Sequence, residues 1–358
     1  MTYADEADGA FTLNDSIAGQ MKNAQVHGYQ MVLRSALSTT AAHRAMTGEQ
    51  AFQDATKLLV GNMLDSVRKK LEIQLMYGQS GIGTVANNET AGASVVVEIK
   101  APEWSPGVWS GAEKMKVDFY NGASPVVGAT NQIVSSVDFE NKTITIATLG
   151  ANLAAGNTIY PAGAHGKEMA GLHKILSNTG SLFGIDAATY TLWKGNLFTP
   201  GTYTDGITGA VVLTFSIIQQ AISKAVEKGL DKDVVVLVNP GHWDDLLVDE
   251  SSLRNYDSSY KSDSAERGAK SIKFYSQNGL CEIIPSTMVK EGYAYVICPE
   301  DFQRIGSTDI TFKRASNGDQ YFKDLENAAG VELRCFSDQA LFCVKPGRQV
   351  VIRNLKVS

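Results

Sequence analysis

The strongest periodic pattern in the chain is helical and lies in residues 50–77. Apolar residues recur there at the three- and four-residue spacing of one helix face. They are Phe52, Ala55, Leu59, Met63, Val67 and Leu71. The segment contains no proline, its single Gly61 is tolerable, and Gly78 follows where a C-terminal cap belongs. The pattern predicts one helix, about 40 Å long at 1.5 Å per residue.

Between about Ser94 and Pro161 the pattern changes to short runs rich in Val, Ile and Thr. Such runs predict β-strands, and Glu140-Asn141 between two alternating runs indicates a hairpin. We therefore expect a small antiparallel barrel or sandwich, inserted into the main fold.

From residue 166 onward helical and strand patterns alternate. Thr214 is the predicted N-cap of a helix, residues 233–238 are typical of a strand buried on both faces, and Asn239-Pro240 opens the next helix. The rest of the chain is mostly strand-like. The segment before the long helix, residues 29–50, has strand-like and turn-like halves but no apolar face of its own, so we expect it to need a partner surface.

Composition excludes several classes of protein. The chain has 358 residues, of which 44% are hydrophobic and 20% charged, so it can bury a large core and make roughly two domains. The longest apolar stretch, near residues 209–222, is interrupted by polar residues and predicts no membrane span. With a pI near 5.5 and no block of Lys or Arg, we expect only weak contact with DNA.

The first residues are acidic, with Asp5, Glu6, Asp8 and Asp15 and no Lys or Arg before Lys22. This is the reverse of the basic start and apolar middle of a secretion signal. We therefore expect the protein to stay in the cytoplasm where it is made.

The residues that could carry chemistry form no reactive motif. We expect the four cysteines, which lie far apart, to be buried free thiols: Cys281, Cys298, Cys335 and Cys343. His242, Asp244 and Asp245 are the one cluster that an enzyme could use, but the carboxylates also suit the first turn of a helix. We predict no catalytic residue, no cofactor and no metal site.

Several segments together resemble a known family. In chain order they are VRKKLEIQLMYGQSGIGTVA, GLHKILSNTG, DVVVLVNPGHWDDLL, GLCEIIPSTMVKEGYAYVICPEDF and the β-rich C-terminal part. Taken in that order, they resemble the major capsid proteins of tailed bacteriophages with the Hong Kong 97 fold. The resemblance covers most of the chain outside residues 94–161.

The resemblance implies an α+β chain with the Hong Kong 97-type capsid fold and a small all-β insertion domain. The implied parts are an N-terminal arm (1–20), an extended loop region (21–49), a spine helix (50–78), the β-rich insertion domain (92–163), a peripheral domain (166–248), an axial domain (249–299) and C-terminal strands of the peripheral domain (300–358). The role of the insertion stays open between a surface knob, a contact between capsomers and a decoration site.

The resemblance also implies a function. The chain would be a structural protein, not an enzyme, that assembles into hexamers and pentamers of an icosahedral shell around a double-stranded DNA genome. The implied partners are further copies of itself, a separate scaffolding protein, a portal protein and a decoration protein, with packaged DNA only weakly contacted and no membrane. The shell would be assembled in the bacterial host cytoplasm and become part of the virion. Two alternatives are an encapsulin-like compartment shell and an α/β enzyme with a β-rich lid.

Seven residues are predicted to contact neighbouring subunits. In the extended loop, which the resemblance lays over an adjacent subunit, they are Tyr29, Arg34, His43 and Arg44. In the axial loops they are Arg254, Tyr256 and Lys261. Arg34, His43 and Arg44 are expected to pair with acidic groups on that subunit.

Overall fold

The computed structural model describes residues 22–38, 49–200, 209–254, 272–312, 322–326 and 330–358. These parts of the chain contain five α-helices: α1 Glu49–Tyr77, α2 Pro106–Trp109, α3 Leu172–Leu176, α4 Phe215–Val226 and α5 Pro240–Arg254. The strands form three sheets and one two-stranded hairpin.

The three sheets are called the long-strand sheet, the insert sheet and the central sheet. The long-strand sheet contains β1 Tyr29–Ser38, β16 Phe302–Phe312, β17 Phe322–Asp324 and β18 Gly330–Cys343. The insert sheet contains β2 Gly83–Thr84, β3 Gly92–Glu98, β4 Lys116–Asn121, β5 Ser124–Pro125, β6 Gln132–Asp138, β7 Thr143–Leu149 and β8 Thr158–Pro161. The hairpin is β9 Ser181–Leu182 with β10 Ile185–Asp186. The central sheet contains β11 Asn196–Phe198, β12 Val234–Val238, β13 Ile272–Ser276, β14 Gly279–Pro285, β15 Tyr293–Ile297 and β19 Val350–Arg353.

The predicted long helix is confirmed as α1. Its buried Met63 and Val67 pack against Leu333 and Cys335 of β18, so the long-strand sheet covers the apolar face of the helix. Gly78, which follows the helix, allows the backbone at Met169 to approach closely, because a Cβ at position 78 would lie 2.2 Å from the Met169 carbonyl oxygen.

The segment Tyr29–Ser38 is a strand, as its strand-like pattern predicts, but it has an apolar face that the prediction denied it. It forms β1, which pairs antiparallel with β18 over ten residues. Met31 and Leu33 on alternate positions pack beside Met63 of α1. The expectation that this segment lacks an apolar face is therefore wrong for residues 29–38, which find a partner surface in their own chain. Contact of the opposite face with a neighbouring subunit stays a prediction. Residues 39–48 of the predicted extended loop lie outside the described residues.

The central sheet brings together parts that the sequence analysis assigned to different domains. Strand β12 lies between β14, to which it is parallel, and β15, to which it is antiparallel. The predicted N-cap is confirmed, since the Thr214 Oγ1 accepts a hydrogen bond from the Ile217 N–H at 3.4 Å. The predicted boundary between residues 248 and 249 falls inside α5, where one continuous helix joins the two ranges.

The insert sheet contains the strands predicted between Ser94 and Pro161. The hairpin prediction is confirmed by β6 and β7, whose connecting turn is held by hydrogen bonds from the Glu140 and Asn141 N–H groups to the Asp138 carboxylate. The apolar core of this sheet is continuous with the end of α1, because Met76 and Tyr77 belong to the same buried cluster as its side chains. Its independence as a domain stays a prediction.

A buried polar junction joins α1, the insert sheet and the central sheet. The Lys290 ammonium, in a side chain that is 2% exposed, lies 2.6 Å from the Glu103 Oε2 and 4.5 Å from the centre of the Tyr77 ring. Tyr293 donates its hydroxyl to the Glu103 Oε1 at 2.8 Å. Burial raises the pKa of Glu103, but the Lys290 charge and the hydrogen bonds outweigh it, so the pKa is lowered and the carboxylate stays ionised.

His173 completes the junction from α3. Its Nδ1 lies 2.9 Å from the Tyr295 hydroxyl, and its ring contacts those of Tyr77 and Tyr293. Burial, reinforced by the Lys290 charge, lowers the pKa of His173 to about 4. The imidazole is therefore neutral in the folded protein at neutral pH.

The four cysteines agree with the prediction, since Cys281, Cys298, Cys335 and Cys343 are free and buried. Burial raises the pKa of each thiol. All four are therefore protonated at neutral pH.

The first prediction concerns Lys290→Met. Removing the ammonium leaves the Glu103 carboxylate buried without its counter-charge, so we expect the free energy of unfolding to fall by about 3–5 kcal/mol in denaturant titrations. If this variant does not fold, Lys290→Met combined with Glu103→Leu should recover most of the loss, because no buried charge then remains.

The matched control is Lys232→Met. Lys232 also pairs with a carboxylate, that of Glu300, but both side chains are exposed, so we expect a loss within about 1 kcal/mol. A Lys290→Met loss no larger than that of the control would contradict the structural role of the junction.

The second prediction concerns pH. In the unfolded chain His173 takes up a proton near its ordinary pKa of about 6.5, whereas in the folded protein it does so only near pH 4. Stability is therefore lost as the pH falls through this window, by about 2 kcal/mol between pH 7 and pH 5. Denaturant titrations at both values should show this slope in the native chain and a flatter one in His173→Gln. Parallel slopes would assign the pH dependence to other groups.

Candidate assembly surface

The outer face of the long-strand sheet, which points away from α1, carries the predicted contact residue Arg34. Side chains alternate along β1, so Met31 and Leu33 face the helix while Val32 and Arg34 face outward. Val32 is 49% exposed. This pattern sets an apolar and a cationic side chain next to each other on an open sheet face.

Arg34 lies opposite Arg334 of β18. Like charges at opposite positions of an antiparallel pair are destabilising, and the Glu332 carboxylate relieves this by pairing with both. Its Oε2 is 3.9 Å from the Arg34 Nη1, and its Oε1 pairs with the Arg334 guanidinium. The Arg34 side chain is 77% exposed and that of Glu332 only 4%.

Among the described residues of this part of the sheet, one carboxylate thus pairs with two guanidinium groups, which leaves an excess positive charge there. The excess lies beside the exposed Val32 and faces outward. Chemically, the surface suits an acidic, partly apolar partner. It offers no group that would act on such a partner covalently.

The other predicted contact residues have different positions. Tyr29 is half-buried and packs beside Leu71 and Met169 of its own chain, so its ring serves mainly the core. Arg254 is the last residue of α5. The remaining four predicted residues lie outside the described residues: His43, Arg44, Tyr256 and Lys261.

The sequence analysis missed several exposed apolar side chains. On α5, Val248 is 69% exposed and Leu247 is also exposed, and Tyr275 on β13 is 86% exposed. The signal was present in the run Leu246-Leu247-Val248, because three successive residues cannot all face one side of a helix. Only Leu246 is fully buried.

Helix α5 separates the cluster of His242, Asp244 and Asp245 that an enzyme could use. His242 is fully buried and its Nε2 lies 2.6 Å from the Glu291 carbonyl oxygen, while Asp244 is exposed on the other side of α5. The Asp245 Oδ2 lies 3.6 Å from the His242 Nδ1, also buried. His242 links the first turn of α5 to the loop before β15, and its imidazole is buried away from solvent.

The described residues show neither a metal-binding cluster nor a helix that could span a membrane. Among them, no group of three or more His, Cys, Asp and Glu side chains is placed to hold a metal ion. In the same parts of the chain, none of the helices has the length and apolar character needed to cross a membrane.

Comparison with known proteins gives matches in structure alone. No family model and no curated protein matches the sequence. The chain is similar to a chain of the cyanophage A-1(L) capsid asymmetric unit, with a TM-score of 0.51 and 12% identity, over 91% of this chain and 77% of that chain.

Two other matches are more distant. One is to the satellite phage P4 procapsid that includes the size determination protein, with a TM-score of 0.35 and 10% identity, over 100% of this chain and 80% of that chain. The other is to an encapsulin complex from Synechococcus elongatus, with a TM-score of 0.30 and 11% identity, over 46% of this chain and 54% of that chain. At these TM-scores, neither match supports a conclusion about this chain.

Because the identity to the cyanophage chain is low, this match shows similarity of the fold alone. The described chain is mixed, with mostly strands and few helices, as the sequence predicted. The predicted resemblance to phage capsid proteins is therefore confirmed at the level of the fold, and the chain has a capsid fold.

Proposed function

We propose that this chain is the major capsid protein of a tailed double-stranded DNA bacteriophage and assembles into the hexamers and pentamers of an icosahedral shell. The observation that carries the proposal is the capsid fold shared with the cyanophage A-1(L) chain over 91% of the residues. Shell formation requires surfaces rather than an active site, and the proposed role is not enzymatic.

The architecture supports this role. Helix α1 has 29 residues, which corresponds to about 43 Å of helix, and β18 behind it has 14 residues. Such a frame can hold separate contact surfaces far apart on one subunit. In a shell each subunit touches several neighbours, and many modest contacts add up through multivalency.

In Hong Kong 97 terms, we assign α1 as the spine helix and the long-strand sheet to the peripheral domain. The central sheet with α4 and α5 suits the axial domain. This assignment departs from the ranges that the resemblance implied, which gave residues 166–248 and 300–358 to the peripheral domain, because β11, β12 and β19 share one sheet with β13–β15. The exposed Val248 and Tyr275 belong to this part and would face axial neighbours.

The proposed partners follow from this role. They are further copies of the chain, a separate scaffolding protein, a portal protein and a decoration protein, in a shell assembled in the host cytoplasm. The net charge of −6 suits a wall that contacts packaged DNA only weakly.

The test of the proposal is assembly. Recombinant protein should sediment as shells, tubes or rings of six subunits, near 231 kDa for 6 × 38.5 kDa, and these should be visible by negative-stain microscopy. A monomer or dimer that never assembles at high concentration would contradict the proposal. Particles from the native source that enclose an enzyme instead of DNA would replace it with an encapsulin-like compartment.

A charge reversal tests the outer face of the long-strand sheet. We expect Arg34→Glu to reduce the assembled fraction about tenfold, because each repeated contact with an acidic neighbour would lose about 1.4 kcal/mol or more. The assembled fraction is measured by sedimentation, and the melting temperature confirms that the variant is folded.

The control for this variant is Lys116→Glu, which makes the same charge change at an exposed position of β4 in the insert sheet. It should assemble within about twofold of the native chain, since such a change costs a fraction of a kcal/mol at an exposed site. Equal assembly of both variants would remove Arg34 from the contact surface.

A further inference from the structure

A groove of about 410 Å³ lies where the β9–β10 hairpin, the turn after it, the end of α4 and the loop after β18 meet. We call it the cationic groove. Its walls carry Lys22, Tyr190, Trp193, Lys228, Lys345 and Arg348. A chain with a net charge of −6 therefore collects four cations around one depression.

The charges in the groove are only partly balanced. The Arg348 Nη1 pairs with the Asp231 Oδ1 at 2.7 Å. Among the described residues, no carboxylate pairs in this way with Lys22, Lys228 or Lys345. The Lys228 ammonium donates a hydrogen bond to the Lys194 carbonyl oxygen at 3.3 Å, and burial, with the nearby Lys194 charge, lowers its pKa. An anion in the groove would relieve this repulsion.

The groove also has apolar walls. Lys22 lies over the Tyr190 ring, 5.1 Å from its centre. Trp193 is fixed by a hydrogen bond from its Nε1 to the Leu182 carbonyl oxygen at 3.3 Å, and Leu192 and Val344 are exposed beside it. The groove therefore suits a chain that alternates carboxylates with apolar side chains.

A segment of this composition, residues 1–21, is joined directly to Lys22 in the wall of the groove. The Gln25 N–H donates to the Phe183 carbonyl oxygen at 2.9 Å, which holds the backbone beside β9–β10 three residues after Lys22. Residues 1–21, which precede it, contain no Lys, Arg or His. Their carboxylates are Asp5, Glu6, Asp8 and Asp15, and their large apolar residues are Tyr3, Phe11, Leu13, Ile17 and Met21.

We propose that the cationic groove binds the acidic segment of residues 1–21. The segment has the opposite charge, carries apolar side chains for the exposed walls, and is tethered at the rim through Lys22. The tether supplies an effective concentration in the millimolar range, so weak contacts suffice. Lysines interleaved with aromatic rings also suit a single-stranded nucleic acid, but the adjoining carboxylates compete for the same charges.

The experiment uses full-length chains. In a neutral-segment variant, Asp5→Asn, Glu6→Gln, Asp8→Asn and Asp15→Asn remove the charges of the competing segment. A fluorescein-labelled peptide of residues 1–21 is then titrated into this variant and into the native chain, and its anisotropy is followed. We expect binding to the variant to be at least about tenfold tighter, because the native groove is already occupied. Raising the salt concentration should weaken it.

The groove is tested in the neutral-segment background. Lys228→Glu with Lys345→Glu should abolish peptide binding, while Lys100→Glu with Lys116→Glu, the same charge change at exposed positions elsewhere, should leave it unchanged within about twofold. If the groove double variant does not fold, Lys228→Gln with Lys345→Gln replaces it. A peptide affinity that the groove substitutions leave unchanged, or that is equal in the native and neutral-segment chains, would overturn the proposal.

A second measurement needs no substitution in the groove. Carbodiimide cross-linking of the native chain, followed by peptide mass spectrometry, should join Lys228 or Lys345 to a carboxylate of residues 1–21. Absence of these cross-links would count against occupancy. A labelled oligothymidylate that binds more tightly than the peptide, and through the same lysines, would instead assign the groove to nucleic acid.

Discussion

The Lys290 ammonium is buried where α1, the insert sheet and the central sheet meet, and a buried charge is tolerated only with a counter-charge at close range. Glu103 supplies it from the chain just before α2, while Tyr77 at the end of α1 offers its ring to the ammonium and its hydroxyl to the Lys290 N–H. The three parts of the chain that carry Lys290, Glu103 and Tyr77 must therefore come together before the Lys290 ammonium has its counter-charge. This ion pair therefore helps to fix α1, the insert sheet and the central sheet relative to one another.

The long-strand sheet extends this frame away from the junction. Its inner face is fixed by apolar packing on α1, which leaves the outer face free to carry unbalanced charge without loss to the core. The same division holds in α5, where Leu246 is buried while Leu247 and Val248 are exposed. A protein that only had to fold would gain nothing from these exposed apolar side chains, whereas a subunit of an assembly uses them as contacts.

Local features of the fold were predictable from the sequence because their signals are local. The period of α1, the Thr214 cap and the turn after Asp138 each depend on residues a few positions apart. The pairing of β1 with β18 was not predictable, since residues about 300 positions apart share no periodic signal. The Lys290–Glu103 pair was missed for the same reason. Of the candidate contact residues, Arg34 came from the resemblance. Val248 could have been found from the run Leu246-Leu247-Val248, whereas Tyr275 was identified only by its exposure in the structure.

The distance in sequence between β1 and β18 also has a consequence for synthesis. Helix α1 leaves the ribosome with only β1 available to cover its apolar face, and β18, which packs on Met63 and Val67, is translated among the last residues. Contacts of such high sequence separation form late in folding. The long-strand sheet, with its outer charges, is therefore complete only once nearly the whole chain exists. Under the proposed function, nascent chains on neighbouring ribosomes lack this surface, so the order of translation would delay assembly until each subunit is finished.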